Sequence, residues 1–142
     1  RKKIMVKKEF VIASGFVVIL DQIMKALVGS VNWDFGFLKI HLIKNTGAGF
    51  GILQGRTGWL AVISLIVAVL MIYFYKEVGE SKLEQVSYAM FFGGVVGNLI
   101  DRVLRGFVID FIDLGWWPVF NVADIAIVIG AIGLVIYSFK KK

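Results

Sequence analysis

Apolar residues gather into four stretches, at 10–28, 59–75, 85–103 and 119–139, parted by segments that carry charge, glycine and aromatic residues. Each falls in the range of about 17–25 residues that spans the hydrocarbon core of a bilayer as a helix. The pattern therefore predicts four transmembrane helices in one integral-membrane domain over residues 1–142. Between the first two stretches, Phe37-Leu-Lys-Ile-His-Leu-Ile43 partly alternates apolar and polar positions, as a half-buried strand does. It predicts a small sheet or hairpin at the membrane surface. The following Asn45-Thr-Gly-Ala-Gly-Phe-Gly51 has the glycines of tight turns and close backbone approach, but not the Gly-Lys-Ser/Thr ending of a phosphate-binding loop.

Composition strengthens the membrane reading. The 142 residues are 58% hydrophobic, against about 45–50% for a soluble chain, and mean hydropathy is +0.82. With no cysteine and one histidine, His41, the chain has no thiolate or histidine set for a metal site and no cysteine nucleophile. No cofactor is expected, and any reaction must run on carboxylates, Lys, Arg, Asn or water.

The net charge of +6 is concentrated in blocks at residues 1–8 and 140–142 that flank apolar runs. Such blocks fit an anionic membrane face rather than nucleic acid. With Lys76 and Lys82 between the second and third stretches, the bias places both termini in the cytoplasm. The first stretch could be a secretory signal, but Asp21, Gln22 and Lys25 stand where a small-residue cleavage site belongs. In this orientation Asp21, Lys25, Asn98, Asp101, Arg102, Asn121 and Asp124 all fall at one depth, near the outer leaflet. Scattered structural polar groups have no reason to collect there.

Charges inside a membrane usually pair or perform a function. Asp21 and Lys25, spaced i, i+4 with the acid first, are either an internal ion pair or a site for a polar headgroup. Gly93 and Gly97 have the spacing that lets a neighbouring helix approach, and Gly94, Asn98 and Asp101 share a face. Asp101 is expected to bridge helices, and Arg102 offers a planar fork to a carbonyl, carboxylate or phosphate. Asp113, before Leu-Gly-Trp-Trp, reads as a turn acid. Asn121 and Asp124 project from one face; with a fourth helix beginning at residue 119, Asp124 lies too far in to be its cap.

Asp110, in Phe107-Val-Ile-Asp-Phe-Ile112, has apolar neighbours that raise its pKa. Two carboxylates within about 4 Å repel by about 4 kcal/mol at an effective dielectric near 20, roughly three pKa units. Such a pair shares one proton, the arrangement with which aspartic proteases activate water.

Asp21-Gln22-x-x-Lys25, Asn45-x-Gly47-Ala-x-Phe50-Gly51, Gly93-Gly94-x-x-Gly97-Asn98-x-x-Asp101-Arg102-x-x-x-Gly106-x-Val108-x-Asp110-Phe111 and Phe120-Asn121-x-Ala123-Asp124 occur in order over about four-fifths of the chain. Together they resemble the motif set of the lipoprotein signal peptidases, the signal peptidase II family. The resemblance implies an all-α membrane protein of four transmembrane helices with a small extracytoplasmic β cradle. It also implies an intramembrane aspartyl endopeptidase of the bacterial plasma membrane, acting as a monomer among membrane lipids. The substrates would be prolipoproteins, cut before a diacylglyceryl-modified cysteine. By matching positions, Asp110 and Asp124 would be catalytic, Asn45, Gly47, Asn98, Arg102 and Asn121 would line the substrate cleft, and Asp21, Lys25 and Asp101 would support them. Two other classes remain open on the residues alone: a small proton- or ion-coupled transporter, and a non-enzymatic membrane scaffold.

Overall fold

A computed structural model describes residues 6–141 and contains four long helices and one three-stranded sheet. In chain order these are α1 (Lys8–Val28), β1 (Asn32–Asp34), β2 (Lys39–Asn45), α2 (Thr57–Phe74), α3 (Lys82–Leu104), β3 (Val108–Asp113) and α4 (Val122–Lys140). Arg1, Lys2, Lys3 and Lys142, counted above among the basic flanks, lie outside the described residues. All four apolar stretches fall largely within helices, and the alternating stretch leads into β2. The segment around Asp110, where the apolar run was too short to show a period, is β3.

Among the described residues, three helical segments are long and apolar enough to cross a membrane: Lys8–Val28, Thr57–Glu77 and Val122–Lys140. The third predicted stretch is different in kind. α3 packs against α1, α2 and α4, and its buried residues include Gln85, Ser87, Gly93, Gly94, Gly97, Asn98 and Asp101. A helix surrounded by other helices faces protein rather than lipid, so small and polar residues take the places that lipid would fill with leucine and valine.

Close approach at glycine sets this packing. A Cβ on Gly93 would lie 2.9 Å from the Ser14 carbonyl oxygen on α1, one on Gly97 would lie 2.7 Å from Asp21 Oδ2, and one on Gly94 would collide with the Ala123 carbonyl oxygen on α4. The Gly93 and Gly97 pair therefore receives α1, as their spacing predicts, while Gly94 receives α4. Apolar clusters close the two ends of the bundle: Phe10, Tyr75 and Ala89 at one, and Val28, Ile109 and Phe111 at the other. The second cluster joins the sheet to the helices, since Ile40 and Ile112 pack on it.

The sheet is antiparallel in the order β1-β2-β3. β3 follows α3 after Gly106, whose φ of +77° reverses the chain just past the helix end. Asn45 pairs with Val108 and Ile43 with Asp110, so Asn45 sits diagonally across from Asp110, within reach of its side chain. After β3 the chain returns at Phe120, which bridges Ile112, with Ile112 N donating to Phe120 O at 2.9 Å and Phe120 N to Ile112 O at 3.1 Å. That bridge sets the first turn of α4 beside Asp110.

α4 begins at Val122, three residues after the predicted start, and this corrects the reading of Asp124. Asn121 is the N-cap and Asp124 the third helical residue. Asn121 Oδ1 accepts from Asp124 N at 2.9 Å, and Asp124 Oδ2 accepts from Asn121 N at 3.1 Å. This is a capping box with Asp in place of Glu. Phe120, held in the bridge to Ile112, cannot join the helix, which is why the apolar run from 119 overstated its length.

Replacing Gly94 with Val adds a branched side chain where even Cβ meets Ala123 backbone. Overpacking of this kind costs about 1–3 kcal/mol. The variant is expected to unfold at lower temperature in detergent than the parent, and an unchanged midpoint would show that α3 and α4 can separate there freely.

Candidate active site

β3 brings Asp110 and the first turn of α4 brings Asp124 to a shared cavity of about 240 Å³, also lined by Asn45, Asn98, Arg102 and Phe50. Asp110 is 3% exposed, and Asp124 is half-buried at the cavity wall. The three sequence-predicted asparagines converge on these acids. Asn45 Nδ2 donates to Asp110 Oδ2 at 2.9 Å, Asn121 Nδ2 to Asp110 Oδ1 at 2.8 Å, and Asn98 Nδ2 to Asp124 Oδ1 at 2.8 Å.

Burial pushes the Asp110 carboxyl up from its ordinary 3.8 to about 6. The Asn45 hydrogen bond opposes that shift, the negative charge of Asp124 adds to it, and Lys25 and the Asn121 hydrogen bond oppose it. An acid in this range can hold or release a proton near neutrality, which general acid–base chemistry requires.

Behind the two acids lies a buried charged cluster. Lys25 Nζ contacts Asp21 Oδ2 at 2.7 Å and Asp101 Oδ2 at 2.9 Å, and all three side chains are fully buried. Of the two readings of Asp21 and Lys25, the internal ion pair is therefore the one realised. Asp21 Oδ1 accepts from Ala123 N at 2.9 Å, and Asp101 Oδ2 accepts from Ile109 N at 2.9 Å. The two acids thus hold the backbone beside Asp124 and beside Asp110. Asp101 bridges elements as expected and does not pair with Arg102.

Arg102 reaches Ser64 Oγ on α2 at 3.2 Å. Among the described residues, its Nε is the one buried side-chain nitrogen or oxygen without a hydrogen-bond partner, and the side chain lines the cavity. Gly47 and Asn121 are not among the residues lining that cavity. Gly47 N donates to Asn45 Oδ1 at 2.9 Å, and Gly47 packs beneath Ile52 and Gln54. Asn121, 0% exposed, sits behind the acids and touches both.

Some partners were missed from the sequence. Arg105 Nη1 donates to Asp101 Oδ1 at 2.6 Å, an i, i+4 pair that spacing could have revealed. Gln22 Nε2 also reaches Asp101 Oδ1, at 3.0 Å. Ser64, on an otherwise apolar α2, gave no signal. Asp113 does serve a turn, with Oδ1 accepting from Gly115 N at 2.8 Å, and its Oδ2 lies 2.9 Å from His41 Nε2 across the sheet.

Comparison with known proteins bears directly on this geometry. The family model described as Signal peptidase (SPase) II matches residues 13–140. The chain belongs to the signal peptidase II family. A lipoprotein signal peptidase of Syntrophomonas wolfei is 49% identical over 129 residues, covering 84% of this chain and 85% of that protein. Another, from Caldanaerobacter subterraneus, is 42% identical over 130 residues, covering 86% and 90%. A solved bacterial membrane enzyme superposes with a TM-score of 0.85 at 34% identity over 92% of this chain and 87% of its own. A second such structure gives 0.82 at 34% identity, covering 94% of each chain. This signal peptidase II family member is thus a membrane protease by family, with its polar residues gathered where β3 meets α4.

Removing the Asn45 side chain takes away a donor that favours the charged form of Asp110. In Asn45→Ala the Asp110 carboxyl is therefore expected to titrate above the parent's value of about 6. Isotope-edited infrared titration of aspartate carboxyls reads this directly, and a midpoint that stays or falls would contradict the assigned role of Asn45.

Proposed function

We propose that the chain is an intramembrane aspartyl endopeptidase that removes signal peptides from prolipoproteins, cutting before a diacylglyceryl-modified cysteine. The observation that carries this reading is the shared cavity of Asp110 and Asp124, with amide N–H groups turned toward both carboxylates. The charged member of the pair takes a proton from a bound water as its oxygen attacks the scissile carbonyl carbon. The protonated member hydrogen-bonds the carbonyl oxygen, and a proton passes to the leaving nitrogen as the C–N bond breaks. No metal or cofactor enters these steps.

Residues 1–142 act as one membrane domain and as a monomer in the bacterial plasma membrane. All four helices span the bilayer, α3 from within the bundle, with both termini in the cytoplasm and the acids near the outer leaflet. The basic N-terminal block with Lys76 and Lys82 on one side, and the sheet and polar cluster at the opposite ends of the helices, support that orientation. An apolar groove of about 270 Å³ shares Trp117, Phe120, Asp124 and Val128 with the cavity and continues along α4 past Ile125 and Ile129. It offers the apolar part of a lipid-modified substrate a place beside the acids, and the bilayer supplies its orientation. Arg102, with an unpartnered Nε, is suited to hold a substrate carbonyl in the cavity.

A diacylglyceryl-modified prolipoprotein peptide incubated with the purified protein is expected to be cut immediately before the modified cysteine, read by mass spectrometry. Asp110→Asn and Asp124→Asn are each expected to abolish cleavage in a folded protein, and full activity in either would remove that residue from the mechanism. Arg102→Lys keeps the charge but loses the fork, so KM is expected to rise about tenfold with kcat less affected. Unchanged kinetics would argue that Arg102 does not touch substrate.

A further inference from the structure

Resting on the aspartyl reading, we propose that Lys25 is a positioning residue. Its ammonium fixes the side-chain amide of Asn98, and frees that of Asn121, so that N–H groups rather than carbonyl oxygens face Asp124 and Asp110.

The argument is one of hydrogens and acceptors. Lys25 Nζ, in a side chain 1% exposed, meets Asp21 Oδ2 at 2.7 Å, Asp101 Oδ2 at 2.9 Å and Asn98 Oδ1 at 3.2 Å. An ammonium has three hydrogens and no lone pair, so each contact takes one hydrogen, and the Asn98 atom facing it must be oxygen. Nδ2 of Asn98 is then turned to Asp124 Oδ1, at 2.8 Å.

Asn121 Nδ2 is in the opposite position. It lies 2.8 Å from Asp110 Oδ1, 3.0 Å from Asn98 Oδ1 and 3.2 Å from Ile109 O, and an amide has only two hydrogens for these acceptors. With Lys25 serving Asn98 Oδ1, Asn121 can give both to Asp110 and Ile109.

Asn45 is oriented by Gly47 N and Asn121 by Asp124 N, backbone donors present whatever the side chain. Asn98 depends on a side chain. Without the ammonium, Asn98 either turns its oxygen toward Asp124 or keeps its place by drawing a hydrogen from Asn121. In the first case Asp124 loses a donor; in the second Asp110 or Ile109 does. The other charged groups around the acids are Asp21 on α1 and Asp101, Arg102 and Arg105 on α3, and none of these is hydrogen-bonded to Asn98.

The test separates positioning from charge balance. Asp21→Asn/Lys25→Met removes one charge of each sign, and the new amide oxygen can still accept the Ala123 N–H. Lys25→Arg keeps the charge but replaces one three-hydrogen nitrogen with a planar fork. Folding is read by thermal unfolding in detergent, and kcat, KM and the pH profile with the lipid-modified peptide. In each folded variant kcat is expected to fall about 10- to 100-fold, the scale of a lost hydrogen bond to a charged group, with KM little changed. Where the lost donor is that of Asp110, the pH optimum is expected to move to the alkaline side, because that carboxylate then holds its proton more tightly. A folded variant with the parent's kcat and pH profile would reduce Lys25 to a structural counter-ion and overturn the proposal. Asp110→Asn, run alongside, separates the two failures: if it still cleaves, the aspartyl reading falls; if it is inactive while the Lys25 variants match the parent, only the role of Lys25 falls.

Discussion

A single ammonium group, fully enclosed between α1 and α3, holds the architecture around the cavity. Lys25 is surrounded by Asp21, Asp101 and Asn98, and the two acids use their remaining acceptor capacity on the backbone N–H groups of Ala123 and Ile109. One cation thus ties together the two acids that hold the backbone at the start of α4 and in β3. Buried pairs of this kind add little net stability over apolar packing, but breaking one by removing a partner costs about 3–5 kcal/mol. Their value here is in position: the cluster links α1 and α3 to the first turn of α4 and to β3 through hydrogen bonds from Ala123 N and Ile109 N.

The consequence at the cavity is a pair of carboxylates whose surroundings are built before any ligand arrives. Asp110 is buried enough to resist ionisation, yet both of its oxygens accept from amides oriented by other contacts. Donors already aimed at a charge need no reorganisation when that charge forms, and this is the usual source of electrostatic advantage in an active site. The capping box on α4 does two tasks with the same atoms, since the bonds that begin the helix also fix the carboxylate of Asp124 and the amide of Asn121.

α3 shows how polar residues are accommodated among apolar helices in so short a chain. Its glycines admit α1 and α4 to backbone contact, its Asn98 and Asp101 meet the cluster between them, and the more apolar α1, α2 and α4 carry most of the exposed hydrophobic surface of the helices. Of the polar residues that make α3 less apolar than its neighbours, Gln85, Ser87, Asn98 and Asp101 are buried, where partners rather than lipid surround them.

By itself the sequence determined the helices, their number and approximate limits, because apolar runs of membrane length leave few alternatives to hydrogen-bonding the backbone internally. It also marked polar side chains that stand out in such runs: Asp21, Lys25, Asn98, Asp101 and Arg102, which the structure brings together around and behind the cavity, were all legible, as was the internal pairing open to Asp21 and Lys25. The tertiary structure decided what local pattern cannot carry. β3 exists because β2 and Phe120 supply its hydrogen bonds from distant parts of the chain, and α4 starts at Val122 because Phe120 is held in that bridge. Which hydrogen of which amide meets which carboxylate depends on groups up to 102 residues apart, such as Asp21 and Ala123. Hydropathy reports the surroundings of a segment; the direction of a hydrogen bond is settled only once every competing donor and acceptor is in place.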